Sequence, residues 1–238
     1  MGISEILGDA LAYPFHNIKA LVLYIVLGII AALLGGTTIV DFAVAFSTKG
    51  VGGAALAGLG IVGVIVFVLV LFLIEGYALD IIKYGIERRD DGPGIDIIRQ
   101  IANAIKLVIV DVVYYIVPVI ITAILALFLR DWLITIIGII LFIVFALANF
   151  MAKCRLAKTD SLGDALAIGE AIGDISKVGI GKLLAVVILV AIILIIIAFI
   201  IALLASLNAT LGSIILGIAA VYFVFFYNRA IGLLYSDA

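Results

Sequence analysis

Four side chains in this sequence stand where polar chemistry is expensive: Glu75, Asp111, Asn149 and Arg229, each set in or against a long apolar run. Ionisable groups in such surroundings are costly unless they meet a partner, water or a ligand. All four fall at similar depth in the helical spans set out below. That placement predicts a polar pocket, open to the cytoplasm, in which Glu75 or Asp111 pairs with Arg229. The competing reading has Glu75 and Arg229 reaching out to the headgroups, or a pair that only fastens helices. Asp111 is harder to explain that way, because its side chain is short and Val110 and Val112 flank it.

Other chemistry is scarce. A single histidine, His16, leaves no histidine-based metal cluster, and a single cysteine, Cys154, excludes an intramolecular disulfide. Cys154 lies between Lys153 and Arg155 and reads as a spare interfacial thiol rather than an acylation site. No nucleophile stands beside a base, so no enzyme and no cofactor is expected. A lipid-modifying enzyme working through Asp111 and Glu75 is the alternative. Gly58-Leu59-Gly60-Ile61-Val62-Gly63 fits G-x-G-x-x-G but opens an apolar span instead of following a strand, which excludes a dinucleotide site. The stretch from Gly173 to Lys182 has Ser176 where a phosphate loop needs its first glycine, and Leu183 follows the lysine. Tyr114-Tyr115 and the aromatic run Tyr222 to Tyr227 read as bundle packing and interface anchoring.

The elements that must hold these residues follow from composition. Of 238 residues, 67% are hydrophobic and 13% charged, with a mean hydropathy of +1.48. A water-soluble domain is about half apolar and roughly a quarter charged. Too little polar surface is left here to coat a globule, so the solvent is lipid. Fourteen Lys and Arg against 16 Asp and Glu give no basic excess for nucleic acid. The N-terminal segment carries Glu5 and Asp9 and no basic cluster, so a cleaved signal peptide is not expected.

A membrane-crossing helix needs about 20 mostly apolar residues. Six stretches qualify: Ala20 to Val40, Leu56 to Leu79, Leu107 to Leu129, Trp132 to Phe150, Leu183 to Leu207 and Leu211 to Leu234. Runs such as Leu183-Leu184-Ala185-Val186-Val187-Ile188-Leu189 do not alternate, which excludes barrel strands. Pro118 in the third span predicts a kink, or tolerance through neighbouring contacts. Six spans put twelve cations on one side (Lys19, Lys83, Arg88, Arg89, Arg99, Lys106, Lys153, Arg155, Lys158, Lys177, Lys182, Arg229) and only Lys49 and Arg130 on the other. Cations orient helices toward the cytoplasm, so both termini are expected there, in the cell membrane. Trp132 then reads as an outer interfacial anchor. Asn208-Ala209-Thr210 is formally a glycosylation sequon, but its tight turn against the membrane argues against modification.

An internal repeat organises the spans. Leu7-Gly8-Asp9-Ala10-Leu11-Ala12 recurs unchanged as Leu162-Gly163-Asp164-Ala165-Leu166-Ala167, and a looser version begins near Ile95-Asp96-Ile97-Ile98. Each precedes a lysine at the mouth of an odd-numbered span: Lys19, Lys106 and Lys182. Ile3, Ile6, Leu7, Ala10 and Leu11 share one helical face, as do Ile97, Ile98, Ile101, Ala104 and Ile105, and more loosely Leu162, Ala165, Leu166, Ile172 and Ile175. The expected architecture is an all-α integral membrane protein forming one domain over 1–238. Three parallel repeats (about 1–92, 93–159 and 160–238) each join an amphipathic interfacial helix to a helical hairpin.

Several of these strings resemble a known family. They are Asp9 to Phe15, Gly76-Tyr77-Ala78-Leu79-Asp80, the acidic patch Glu87 to Asp91, and Ala104-Ile105-Lys106 entering a span that ends near Pro118. They are similar to archaeal polytopic membrane proteins catalogued as domain of unknown function 4013. The resemblance implies a helical membrane protein of archaeal type and supplies no catalytic residue. The third repeat departs from the first, with Ile168-Gly169-Glu170 in place of Tyr13-Pro14-Phe15. The function expected from the whole is a membrane scaffold, assembly or partner-binding subunit, in contact with the bilayer and with another membrane or cytoplasmic protein. The alternative is a transporter or channel for a small solute, ion or lipid, using the polar pocket.

Overall fold

A computed structural model describes residues 1–47 and 51–238, with side chains outside 35–59. Lys49, Gly50 and the glycine-rich sequence up to Leu59 lie outside the described residues or side chains. The described chain is helical, without a strand. Its helices are α1 (Ile3–Ala12), α2 (Ile18–Ser47), α3 (Val51–Ile86), α4 (Ile97–Leu125), α5 (Asp131–Thr159), α6 (Leu162–Ala165), α7 (Ile168–Val178), α8 (Ile180–Leu207) and α9 (Ala209–Tyr235). A 3₁₀ turn over Tyr13–Asn17, with Pro14 at its start, joins α1 to α2. Six helices among the described residues are long and apolar enough to cross a membrane. Such a chain satisfies its backbone within each helix, which is what lipid demands.

Local chemistry sets the ends. The Asp96 carboxylate accepts the Arg99 amide at 3.1 Å and starts α4. Asp160, in the left-handed conformation, closes α5, and Ser161 caps α6 through the Asp164 amide at 3.2 Å. Gly179, at φ 92°, turns the chain from α7 into α8. Asn208 caps α9 by accepting the Leu211 amide at 2.9 Å, so the sequon's side chain has a structural task. Helix α4 continues through Pro118, with the Thr122 hydroxyl donating to the Pro118 carbonyl at 2.7 Å.

Helices α3, α5 and α9 touch one another at the centre. Around them, α2 packs on α3 and α9, α4 on α3 and α5, and α8 chiefly on α9. The buried core lies toward the side carrying both termini, around Ile6, Ile82, Val110, Tyr114, Met151, Phe226 and Leu234. Helices α1, α6 and α7 cover that end, and the Met1 amine lies 3.0 Å from Asp237. Close approach of α3 and α9 depends on Gly85 and Gly232: a Cβ on Gly85 would stand 2.9 Å from the Gly232 Cα. Small residues at such crossings let transmembrane backbones meet.

The expected second amphipathic helix is corrected in one respect. No break separates it from the span, because α4 runs unbroken from Ile97. On it Ile97, Ile98 and Ile105 are exposed, while Gln100, Asn103, Ala104 and Leu107 are buried. With lipid and interface as surroundings, the polar side chains take the protein interior, where partners exist. In α1, Ile6 and Ala10 are buried against the bundle, and α7 buries Ala171, Ile175 and Val178 in the core it shares with α5.

Candidate functional site

Arg229 is as fully enclosed as any charge among the described residues, with 1% of its side chain exposed, as for Asp174. Its Nε donates to Asp9 Oδ1 at 2.7 Å and its Nη2 to Asp9 Oδ2 at 3.2 Å. The Nη1 donates to the carbonyls of Tyr84 at 3.1 Å and Arg89 at 2.7 Å. The guanidinium also lies over the Tyr13 ring, 4.3 Å from its centroid. The pairing expected between Arg229 and Glu75 or Asp111 is therefore not formed. Arg229 lies two helical turns beyond Val221 on α9 and meets α1, the 3₁₀ turn and the end of α3 instead. The planar fork suits this bidentate grip on Asp9.

Asp111 and Asn149 do meet, with Lys153 in the place expected of Arg229. Asn149 Nδ2 donates to Asp111 Oδ1 at 2.7 Å, and Lys153 Nζ lies 2.8 Å from the same oxygen. Asn149 and Lys153 are one turn apart on α5 and face α4 together. Glu75, on α3, is close enough for the charges of Lys153 and Asp111 to act on it. It forms no hydrogen bond or ion pair among the described residues. Asn149 Oδ1 is buried without a partner among the described residues, an uncommon and costly state. The cluster thus offers acceptors and an excess of negative charge, and can hold a cation or a protonated group far better than an anion.

The mouth lysines divide. Lys106 Nζ meets Asp160 at 2.5 Å and Lys182 Nζ meets Asp237 at 2.6 Å, while Lys19 is exposed and forms no ion pair among the described residues. Asp237 also accepts from the Met1 amine and pairs with Arg88. Hydrogen bonds from Lys182 and the amino group hold its carboxyl down at about 2. On the exposed loop after α3, the hydrogen bond from Arg89 lowers the Asp91 carboxyl in the same way.

Two further polar clusters escaped the sequence reading. Asp174 of α7 accepts from Arg155 at 3.1 Å, Lys177 at 2.6 Å and the Tyr235 hydroxyl at 2.7 Å. Burial alone would raise this carboxyl, and it is the largest single influence. The three donors together outweigh it, so Asp174 titrates below the usual carboxylate range. Arg155 also reaches Glu170 and the carbonyl of Asp164. In the second cluster Asp80 takes Arg99 at 3.2 Å and Asn103 at 3.1 Å. Nearby, the Tyr24 hydroxyl donates to Gln100 Oε1 at 2.6 Å, leaving Gln100 Nε2 buried and unpartnered. A signal existed for Asp9 and Asp164, the repeated aspartates. None marked Asp174 or Gln100, whose partners lie on other helices.

Cys154 is buried and its thiol faces the Ile231 carbonyl at 3.9 Å, so it is a core thiol and not an interfacial one. Among the described residues no three His, Cys, Asp or Glu side chains gather as metal ligands.

Six apolar helices around buried, internally paired charges define a multi-pass helical membrane protein. The chain belongs to the family described as protein of unknown function (DUF4013), matched over residues 59–206. Comparison with curated proteins and with solved structures finds no match.

Proposed function

We propose that this protein is a non-enzymatic membrane scaffold or partner-binding subunit whose platform is the layer formed by α1, α6 and α7. The carrying observation is that two ion pairs, each with one buried partner, clamp this layer to the spans: buried Arg229 to Asp9, and Arg155 to buried Asp174. Clamps of this kind favour one fixed surface over an element that rocks. Orientation with that layer and both termini in the cytoplasm is part of the proposal, supported by the cation asymmetry. So is the reading of the chain as three repeats, supported by the recurrence of Leu-Gly-Asp-Ala-Leu-Ala before α2 and α8. The partner is another membrane or cytoplasmic protein. Mild-detergent affinity purification from the native host, with crosslinking mass spectrometry, tests it. A stoichiometric protein crosslinked to α1, α6 or α7 is expected. Recovery of the chain alone, with crosslinks absent from those helices, overturns it.

One observation favours a second reading, a transporter or channel for a cationic or lipid-like solute: Glu75, without a partner among the described residues, lies within reach of the charges of the Asp111–Asn149–Lys153 cluster. Solute flux in proteoliposomes that is lost in Asp111→Asn supports it, and absence of flux counts against it.

A further inference from the structure

A cavity of about 240 Å³ lies between α2, α3 and α9, running from Glu75 along Leu71 and Phe67 away from the termini side. Ala220 lines it with only a methyl group, and Gly28 lets α2 meet α9 beside it, since a Cβ there would stand 2.6 Å from a Val221 methyl and 2.7 Å from the Gly217 carbonyl oxygen. Among the described residues, Glu75 is the only ionisable one that lines it. An apolar cavity of about 150 Å³ stays dry and accepts an apolar guest. This one is larger and open on one side, and beside it stands the exposed Glu75 carboxylate, which has no partner among the described residues.

The charge there is unbalanced. Lys153 is joined to Asp111 at 2.8 Å, so an ionised Glu75 leaves the group with a net negative charge. A guest that satisfies both features needs N–H donors on a positive head and an alkyl body. From this geometry we infer that the cavity is a binding site for a hydrophobic ammonium, its head on Glu75 and its chain along Leu71 and Phe67. A fatty acid or phosphate head would meet repulsion at Glu75, and a neutral alcohol would forgo the ion pair. The inference rests on the polar cluster of the second reading but needs no transport, so binding and flux can fail separately.

The test uses the full chain in phosphatidylcholine nanodiscs and a decylammonium carrying a diazirine near its chain end. Photolabelling is expected on α2, α3 and α9 at residues lining the cavity. Unlabelled decylammonium is expected to compete about ten-fold better than decanol, the scale of one charge-assisted hydrogen bond. Glu75→Gln should level the two competitors. Ala220→Leu keeps the carboxylate, fills the cavity and should abolish the label. Equal competition by both compounds in the unaltered protein overturns the inference, because the cavity then takes any alkyl chain. Label placed elsewhere, or an ammonium preference retained in Glu75→Gln, overturns it as well.

Discussion

Arg229 Nε and Asp9 Oδ1 lie 2.7 Å apart although 220 residues separate them in the chain. The contact closes the bundle, joining its last helix to its first. Because every guanidinium nitrogen is engaged and the side chain is buried, truncation strips Asp9 and the Arg89 carbonyl of their donor and leaves the Tyr84 carbonyl with the Arg89 amide alone. Removing one partner of such a pair costs about 3–5 kcal/mol. Arg229→Ala is therefore expected to lower stability by that order, measured by unfolding in bicelles. Asp9→Asn, which keeps an acceptor, should cost less.

Asp111 and Lys153 form the pair that neutralises charge between α4 and α5. Asp111→Leu alone strands the lysine, and Lys153→Met alone strands the aspartate. The double variant strands neither and should be more stable than the sum of the single losses implies. A double-mutant cycle is expected to return a coupling of about 0.5–3 kcal/mol. Additive losses would show that the two side chains do not interact.

Acid should release α7. Asp174 titrates below its ordinary value in the folded chain, so its contribution is complete above the unfolded carboxylate pKa of about 3.9. That contribution fades as pH falls through the lower folded value. Tyr235→Phe removes one of the donors and should move this loss to higher pH. Hydrogen exchange of α7 against pH checks it. A profile unchanged in Asp174→Asn would remove the carboxylate from the explanation.

Gly85 and Gly232 permit the crossing of α3 and α9. Gly85→Ala puts a methyl 2.9 Å from the Gly232 Cα and must push the helices apart. Overpacking of this kind costs about 1–3 kcal/mol. The same substitution at Gly173, whose Cβ would meet nothing within 4 Å, is expected to be neutral or stabilising.

Cys154 should resist a small maleimide in the folded protein and react after denaturation, since the thiol is wholly buried. Mass spectrometry of the labelled chain reads the outcome. Rapid native labelling would contradict the packing of α5 on α9.

The sequence alone determined the solvent, the helical class and the number of spans, because lipid allows few backbone solutions and 67% hydrophobic composition leaves no other solvent. It also put Asp111 and Asn149, which meet, at similar depth, since depth along a span can be counted in residues. It did not determine azimuth. Whether Arg229 faces Asp111 or Asp9 depends on rotations of α9 by fractions of a turn, and these are set by packing with α1 and α3. The same holds for α4, where periodicity revealed an apolar face but only the fold decided that Gln100 and Asn103 would turn inward. In water the apolar face must be buried. In a membrane both faces have an acceptable place, and the partners offered by neighbouring helices decide between them.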